Sequence, residues 1–310
     1  MEREQIRGLQ AAVTAYLMWG LLTIYWKQLS GLSSFELIGW RVVSASVVMA
    51  LVMTATRGWP AIRGAFSDRA TGIRIAVSAV LLTANWATYV WAVVNSRIIE
   101  TALGYFLAPL GTMAIGVFVL GERITALKRW SVALALAAVV VLTVSYGQVP
   151  WISVILATTW STYALTKKRV PLEAAESLAA ETLVLIVPAV IVVASGWWRT
   201  DGVPHAATAV DWGFLLASGI ITAVPLVLFA FAAKRVPFTV LGPVNYLVPI
   251  INFLLGWLIY DELLTTSRFI GFALVWVALA LVTLDTLRSS SQGSRPQAAG
   301  AAASNVPASR

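Results

Sequence analysis

The sequence contains no cysteine and a single histidine, His205. The absence of cysteine excludes disulfides, thiol nucleophiles and cysteine-ligated metals. The H-E-x-x-H, G-x-S-x-G and Walker A spacings are also missing, and no histidine falls in the apolar segments. We therefore predict that the protein is not an enzyme, has no cofactor or metal, and does not hydrolyse ATP.

Charged residues are scarce as well: they make up 12% of the 310 residues, whereas 59% are hydrophobic. Soluble domains contain about 25% charged residues, because helices and sheets in water need a polar outer face. The composition excludes soluble enzymes and nucleic-acid-binding proteins, and it predicts an all-α integral membrane protein. The net charge of +8 then reflects membrane topology, because the basic residues fall in short gaps between apolar runs.

Long apolar runs fill most of the chain. A bilayer core about 30 Å thick needs roughly 20 apolar residues in a helix. Runs of that length predict ten transmembrane helices, near 8–26, 34–56, 73–95, 98–120, 127–146, 149–167, 174–195, 210–232, 237–259 and 267–287.

The distribution of basic residues predicts the orientation. Seventeen of the 22 Lys and Arg residues lie at the termini and in the gaps after the even-numbered spans, whereas four lie in the other gaps. Positive residues are enriched on the cytoplasmic side, so both termini are predicted to be cytoplasmic in a multi-pass protein of the cell (inner) membrane. Tryptophans near span ends suggest an interfacial aromatic belt: Trp26, Trp59, Trp130, Trp151, Trp197, Trp198 and Trp212.

An internal repeat is visible when the sequence is aligned with itself so that Pro109 meets Pro249. In the same register Gly116 meets Gly256, and Glu122 meets Glu262. Five spans is an odd number, so the second copy would enter the membrane in the opposite orientation, as in many transporters. The predicted units are a first repeat at 8–146, a second repeat at 149–287 and a disordered cytoplasmic tail at 289–310.

Two opposite charges occupy equivalent positions inside spans. Arg41 lies in span 2 and Glu181 in span 7. An ionisable group at membrane depth costs at least about 2.5–3.5 kcal/mol, so it usually faces a cavity or a partner. One interpretation is that the two residues read the charge of a substrate or, for Glu181, carry a coupling proton. The alternative is snorkelling or pairing with a structural partner.

Polar and aromatic residues cluster in spans 3, 4 and 9. Such side chains combine hydrogen bonds with apolar contact, as binding sites for organic molecules do, although helix–helix packing explains them equally well. Pro109 and Pro249 are candidate hinges, because a proline frees backbone carbonyls. The candidate substrate-binding residues are Asn85, Trp86, Tyr89, Trp91, Asn95, Tyr105, Arg41, Glu181, Trp19, Trp160, Asn245 and Tyr246.

Several motifs carry a family resemblance: Glu36-x-x-x-x-Arg41, Asn85-Trp86-x-x-Tyr89-x-Trp91 and Gly104-Tyr105-Phe106-x-x-Pro109. Together with further matches over roughly residues 5–288, they resemble the RarD-like proteins of the EamA family, in the drug/metabolite transporter superfamily. The resemblance implies ten helices in two inverted EamA repeats, an inner-membrane location and transport of a small organic solute. Members of this group are commonly called chloramphenicol-sensitive proteins, which suggests drug or metabolite efflux.

The leading hypothesis is a secondary transporter that works by alternating access between two five-helix halves. Its partners would be a small-molecule solute, the lipid bilayer and a coupling proton, with no nucleic acid. The alternative is a membrane receptor or assembly subunit with no transport cycle. An inverted repeat with paired prolines favours the transporter.

Overall fold

The regular secondary structure of the described residues is helical. A computed structural model of the chain describes residues 3–118, 121, 125–167, 169–233, 235–236, 241 and 244–293. A 3-10 turn at Gly196–Trp198 and a π-helical turn at Leu255–Ile259 extend two of the helices. The α-helices are α1 (Arg3–Lys27), α2 (Ser34–Thr56), α3 (Trp59–Ser67), α4 (Arg69–Val94), α5 (Ile98–Phe118), α6 (Ala126–Tyr146), α7 (Trp151–Lys167), α8 (Ala174–Ser195), α9 (Val203–Ala206), α10 (Ala209–Ala233), α11 (Leu247–Leu254) and α12 (Thr266–Gly293).

Eight helices in the described part of the chain are long and apolar enough to cross a membrane: α1, α2, α4, α5, α6, α8, α10 and α12. The 17-residue α7 coincides with predicted span 6. The shorter apolar run Leu247–Ile259 coincides with the described end of span 9. Parts of spans 4 and 9, and Glu122 of the repeat, lie outside the described residues. The count of ten spans therefore stays a prediction.

The helix boundaries recur at the spacing of the sequence repeat. In the register that aligns Pro109 with Pro249, the starts of α2, α4 and α6 coincide with those of α8, α10 and α12, and the end of α1 coincides with that of α7. The N-caps recur too. The hydroxyl of Thr125 accepts from the backbone N–H of Lys128, and that of Thr265 accepts from the N–H of Arg268, both at 3.3 Å. Such caps satisfy amides that lack a partner in the first turn of a helix.

The packing of the helices follows the same correspondence. When α1, α2, α4, α5 and α6 are exchanged with α7, α8, α10, α11 and α12, the major packed pairs map onto other packed pairs. Thus α1 packs against α10 and α11, while α7 packs against α4 and α5. The pairs α2 with α8, α5 with α11 and α6 with α12 map onto themselves. The two halves therefore meet along these three pairs and along the exchanged pairs, such as α1 with α10 and α7 with α4.

Glycines allow close approach at two equivalent crossings. A Cβ on Gly104 of α5 would lie 2.8 Å from the Cβ of Leu156 in α7. A Cβ on Gly20 of α1 would lie 2.6 Å from the Cδ1 of Ile251 in α11. Within lipid, helix association depends on such close packing, because the bilayer supplies no hydrophobic driving force between helices.

Helix α3 is an addition to the predicted elements, since its residues fall in a gap between spans. It begins with Trp59 and Pro60, and proline is favoured in a first helical turn. The next helix, α4, is capped by Asp68, whose carboxylate accepts from the Thr71 hydroxyl at 2.6 Å and the Thr71 N–H at 3.0 Å. These bonds, led by the hydroxyl, lower the pKa of Asp68.

The aromatic-belt prediction is wrong for Trp26, which is fully buried in the largest apolar cluster. Trp130 and Trp198 are 66% and 83% exposed, as a belt position requires. The prediction rested on proximity to a span end, but the face of the helix decides whether a residue points outward. At the C-terminus, α12 continues to Gly293, five residues into the predicted tail, and 294–310 lie outside the described residues.

Candidate functional site

Arg41 lies seven residues into α2 and is 4% exposed. Its guanidinium carbon lies 4.0 Å from the ring centroid of Trp86 and 5.3 Å from that of Trp26. The Nε and Nη1 atoms of Arg41 are buried and have no hydrogen-bond partner. Cation–π contact with two indoles offsets part of the cost of burying the charge, by about 2 kcal/mol for a desolvated pair.

Asn85 connects three helices near this arginine. Its side-chain amide donates to the hydroxyl of Thr159 at 3.0 Å and to the carbonyl of Leu156 at 3.2 Å, both on α7. Its side-chain oxygen accepts from the hydroxyl of Tyr105 on α5 at 3.2 Å. The buried amide is thus satisfied, and α4, α5 and α7 are held together at this level.

A second polar chain crosses the bundle at Tyr89. The hydroxyls of Tyr89 and Thr23 are 2.8 Å apart, and Thr23 donates to the side-chain oxygen of Asn252 at 2.9 Å. Asn252 in turn donates to the hydroxyl of Thr101 at 3.4 Å. This chain joins α1, α4, α5 and α11, so it links helices of both halves. Because unpaired polar groups are costly in lipid, it fixes the relative positions of these helices.

We call Arg41, Asn85, Trp86, Tyr89 and Tyr105 the central cluster. The phenols of Tyr89 and Tyr105 lie within electrostatic range of the guanidinium, and their ring centroids are 6.0 Å apart. All the aromatic members belong to one apolar cluster. Five of the twelve predicted binding residues are therefore neighbours in space.

A row of rings leads from the central cluster to Glu181. Tyr105 lies 6.4 Å from Trp160, and Trp160 lies 5.7 Å from Tyr163, between ring centroids. The hydroxyl of Tyr163 donates to the Oε2 atom of Glu181 at 3.1 Å. Trp160, predicted as a binding residue, thus lies between the two buried charges.

Glu181 is fully buried and forms an ion pair. Its Oε1 atom lies 2.9 Å from the Nζ atom of Lys167, whose side chain is 24% exposed. Lys167 also donates to the hydroxyl of Ser177. Lys167 is the last residue of α7, and its side chain turns inward to the carboxylate of Glu181. The arrangement matches the structural alternative for Glu181, in which the charge pairs with a neighbour.

Other predicted residues lie apart from the central cluster. Asn95 is exposed beyond the end of α4, and its amide donates to the carbonyl of Trp91 in its own last turn. Trp91 packs against Trp151 at 5.1 Å, near Arg97. Helical spacing places Asn85 and Tyr89 on one face of α4. Trp91 lies on another face, and Asn95 follows the end of the helix at Val94.

Trp19 packs against Tyr16 at 5.3 Å and Phe229 at 5.8 Å, and this aromatic group connects α1 with α10. It belongs to the same apolar cluster as Trp86. Its contacts are apolar, so they fit the interpretation as helix–helix packing as well as that of a binding residue.

The predicted span 9 residues lie before a helix start. Asn245 and Tyr246 form a turn ahead of α11, and Pro249 is the third residue of that helix. Pro109, by contrast, lies inside α5. Tyr246 lines an open apolar groove of about 330 Å³ with Phe106, Ile250 and Trp276. This groove does not include the central cluster.

Sequence reasoning missed Trp26, Thr23 and Lys167 as members of this region. Tyr16, Trp19, Thr23 and Trp26 follow a spacing of three and four residues, which places them on one face of a helix. That spacing was the signal in the sequence that could have identified Trp26 and Thr23 as members of this region.

Known protein families and relatives show which family the chain belongs to. The model of the EamA-like transporter family matches residues 6–144 and again residues 149–284. The chain belongs to the EamA-like transporter family. It is 41% identical over 292 residues to Protein RarD of Streptomyces exfoliatus, covering 93% of this chain and 92% of that protein. It is 31% identical to an uncharacterized transporter of Vibrio cholerae, covering 93% and 95%.

A crystal structure with 20% sequence identity superposes on this EamA-like transporter with a TM-score of 0.59, covering 91% of this chain and 98% of that chain. That likeness supports the fold alone. The family, the relatives and the apolar helices establish a RarD-like, multi-pass membrane protein and a transporter of the drug/metabolite type. The predicted family is thus confirmed.

Proposed function

We propose that this EamA-like transporter is a secondary transporter that moves a small organic solute across the inner membrane by alternating access. The central cluster carries the proposal, because it places a cation, an amide, two phenols and an indole between helices of both halves. Such a mixture binds organic molecules by apolar contact and a few directional polar groups.

The proposed topology has ten spans in two oppositely oriented repeats, 8–146 and 149–287, with both termini and the tail at 289–310 in the cytoplasm. The recurrence of helix boundaries at the spacing of the sequence repeat and the matched packing of the two halves support it. Two halves with the same packing and opposite orientation can exchange conformations, which opens a central site to either side. Pro109 and Pro249 are the proposed hinges.

The chain contains no cysteine, so alternating access can be tested without first removing native thiols. Thr159→Cys places one thiol beside Asn85, and Leu136→Cys is a control on the exposed, lipid-facing side of α6, where Leu136 is 61% exposed. A membrane-impermeant maleimide should label Thr159→Cys from both sides of the membrane, in right-side-out and inverted vesicles, and Leu136→Cys from neither. Labelling from one side only would favour a non-transporting receptor.

The solute is proposed to be a drug or metabolite, with chloramphenicol-like compounds among the first to be tested. Ligands that bind the folded state raise its melting temperature, so a thermal-shift screen of purified protein identifies candidates. Uptake of a confirmed ligand into proteoliposomes then measures transport directly.

Glu181 is the proposed carrier of a coupling proton, because it is a buried carboxylate linked by aromatic rings to the central cluster. Protonation of Glu181 would release Lys167 and change the charge of this region. Uptake of a confirmed ligand should be faster with a pH gradient than without one, and Glu181→Gln should remove the difference. Equal rates for the native protein in both conditions would end the coupling role.

A further inference from the structure

Arg41 has no acidic partner among the described residues. Each buried carboxylate described in the structure is engaged elsewhere, which leaves no protein anion for the guanidinium. The four carboxylates and their partners are Glu36 with the backbone N–H of Val203, Glu100 with Arg97, Glu181 with Lys167, and Asp285 with Lys128.

The residues around Arg41 bury its positive charge against aromatic rings but leave some of its N–H donors available to a ligand. Indoles of Trp26 and Trp86 lie near the guanidinium, and the Nε and Nη1 donors lack acceptors. A guanidinium presents a rigid fork of N–H groups that matches the two oxygens of a carboxylate. Free donors in a buried place therefore point to an oxygen-bearing anion that is not part of the chain.

The charge balance of the two halves favours the same kind of ligand. In the second half, Lys167 and Glu181 neutralise each other. In the first half, the equivalent residues are Lys27 and Arg41, which are both cations. Lys27 donates to the hydroxyl of Ser96 at 2.6 Å rather than to a carboxylate. Among the described residues, Lys27 and Arg41 thus have no carboxylate partner, and such a positive charge attracts anions.

We propose that the central cluster binds an organic anion, in which Arg41 receives a carboxylate and the neighbouring aromatic rings contact an apolar or aromatic body. This inference rests on the proposed transport function for its purpose, because it names the class of solute. The binding itself is a property of the purified protein and is measurable without transport.

Matched pairs of acids and amides test the charge requirement. The probes are benzoate with benzamide, phenylacetate with phenylacetamide, and indole-3-acetate with indole-3-acetamide, titrated calorimetrically into the purified full-length protein. A charge-assisted pair of hydrogen bonds corresponds to roughly ten- to hundredfold in affinity. At least one acid should therefore bind about tenfold or more tightly than its amide.

Variants locate the effect at Arg41. Arg41→Gln should remove the preference for the acid, and Arg41→Lys should keep part of it, because lysine keeps the charge but loses the fork. Arg63→Gln makes the same chemical change on an exposed helix and should leave the preference intact. Thermal unfolding and gel filtration of each variant show whether it is folded.

The outcomes separate the two proposals. The anion site is overturned if no acid in the panel outbinds its amide, or if Arg41→Gln keeps the preference. If acids bind through Arg41 but proteoliposomes do not accumulate them, the site stands and the transport function fails. If no acid outbinds its amide but a neutral solute is transported, transport stands and the anion site fails.

Discussion

Arg41 and Glu181 occupy equivalent positions in the two halves, but their surroundings differ. Both lie seven residues after the start of their helix, and both are buried. Glu181 has an ion pair with Lys167 and a hydrogen bond from Tyr163. Arg41 has the rings of Trp26 and Trp86 beside it and two donors without acceptors. The charge of Glu181 is neutralised by Lys167 of the same half, whereas Arg41 has no carboxylate partner among the described residues.

This difference shows that equivalent positions of a repeated framework can hold different local charges. The shared helix boundaries and caps set the architecture, whereas single side chains at equivalent places set the local charge. Thr23 and Tyr163 are another such pair: Thr23 bonds to Tyr89 in its own half and to Asn252 in the other, whereas Tyr163 bonds to Glu181. Measurements on matched positions can therefore separate architecture from ligand recognition.

The largest effect on stability is expected from Lys167→Met. It leaves the carboxylate of Glu181 buried and unpaired, which costs on the order of 3 kcal/mol. Lys27→Met is the matched control in the first half, because Lys27 has no carboxylate partner among the described residues, and it should change stability far less. Thermal unfolding in detergent measures both.

A double variant checks the cause of that loss. Lys167→Met combined with Glu181→Gln removes both charges and should recover most of the stability. If the double variant is as unstable as Lys167→Met alone, the contribution of Lys167 is not its pairing with Glu181.

The next largest losses of stability are expected from substitutions at Tyr163 and Thr23. Tyr163→Phe removes a hydrogen bond to a charged group, which costs about 1.5–3 kcal/mol. Thr23→Val keeps the shape of the side chain and breaks bonds between neutral groups, which are worth about 0.6 kcal/mol each in membrane proteins. Unfolding temperatures should therefore fall further for Tyr163→Phe. The reverse order would indicate that the hydrogen bonds of Thr23 contribute more to the stability of the bundle than the hydrogen bond of Tyr163 to Glu181.

Smaller and equal effects are expected at the caps of α6 and α12. Thr125→Ala and Thr265→Ala each remove a side-chain acceptor from a first helical turn, at a cost of about 1 kcal/mol. Hydrogen exchange of the first-turn amides should rise by a similar factor in both variants. Clearly unequal changes would show that the two caps are alike in geometry but not in energy.

The smallest effect on stability is expected from Arg41→Met. No carboxylate is left unpaired, and removal of a buried cation relieves a desolvation cost while losing the contacts with two indoles. The melting temperature should be close to that of the native protein, in contrast to Lys167→Met. A loss as large as that of Lys167→Met would reveal a structural role for the guanidinium.

Much of the architecture was predictable from the sequence, because hydrophobic length and repeated spacing reflect the bilayer directly. Except for span 9, whose described part includes a turn at Asn245 and Tyr246, the predicted spans coincide with helices where they are described. The sequence repeat reappears in the helix boundaries. The depth of Arg41 and Glu181 also followed from their distance to the helix starts. Depth depends on residue count alone, so it needs no knowledge of neighbouring helices.

The partners of these residues were not predictable in the same way. Lys167 pairs with Glu181, and Trp26 contacts Arg41, only because of how α7 packs near α8 and how α1 turns toward α2. Every face of a membrane helix is apolar, so hydrophobic periodicity does not say which face is inward. Asn95 is another case: it was predicted as a binding residue, and it lies after the last turn of α4, where its amide donates to the carbonyl of Trp91.

Glu262 joins the segment after α11 to α5 through hydrogen bonds with backbone N–H groups rather than with side chains. Its two carboxylate oxygens accept from the N–H groups of Ile98 and Ile99, at 2.5 and 2.8 Å, at the start of α5. The segment that follows α11 is thereby tied to a helix of the other half. If the proposed alternating access keeps these bonds, we expect the two halves to turn about Glu262, with the widest opening at the far end of α5 and α11.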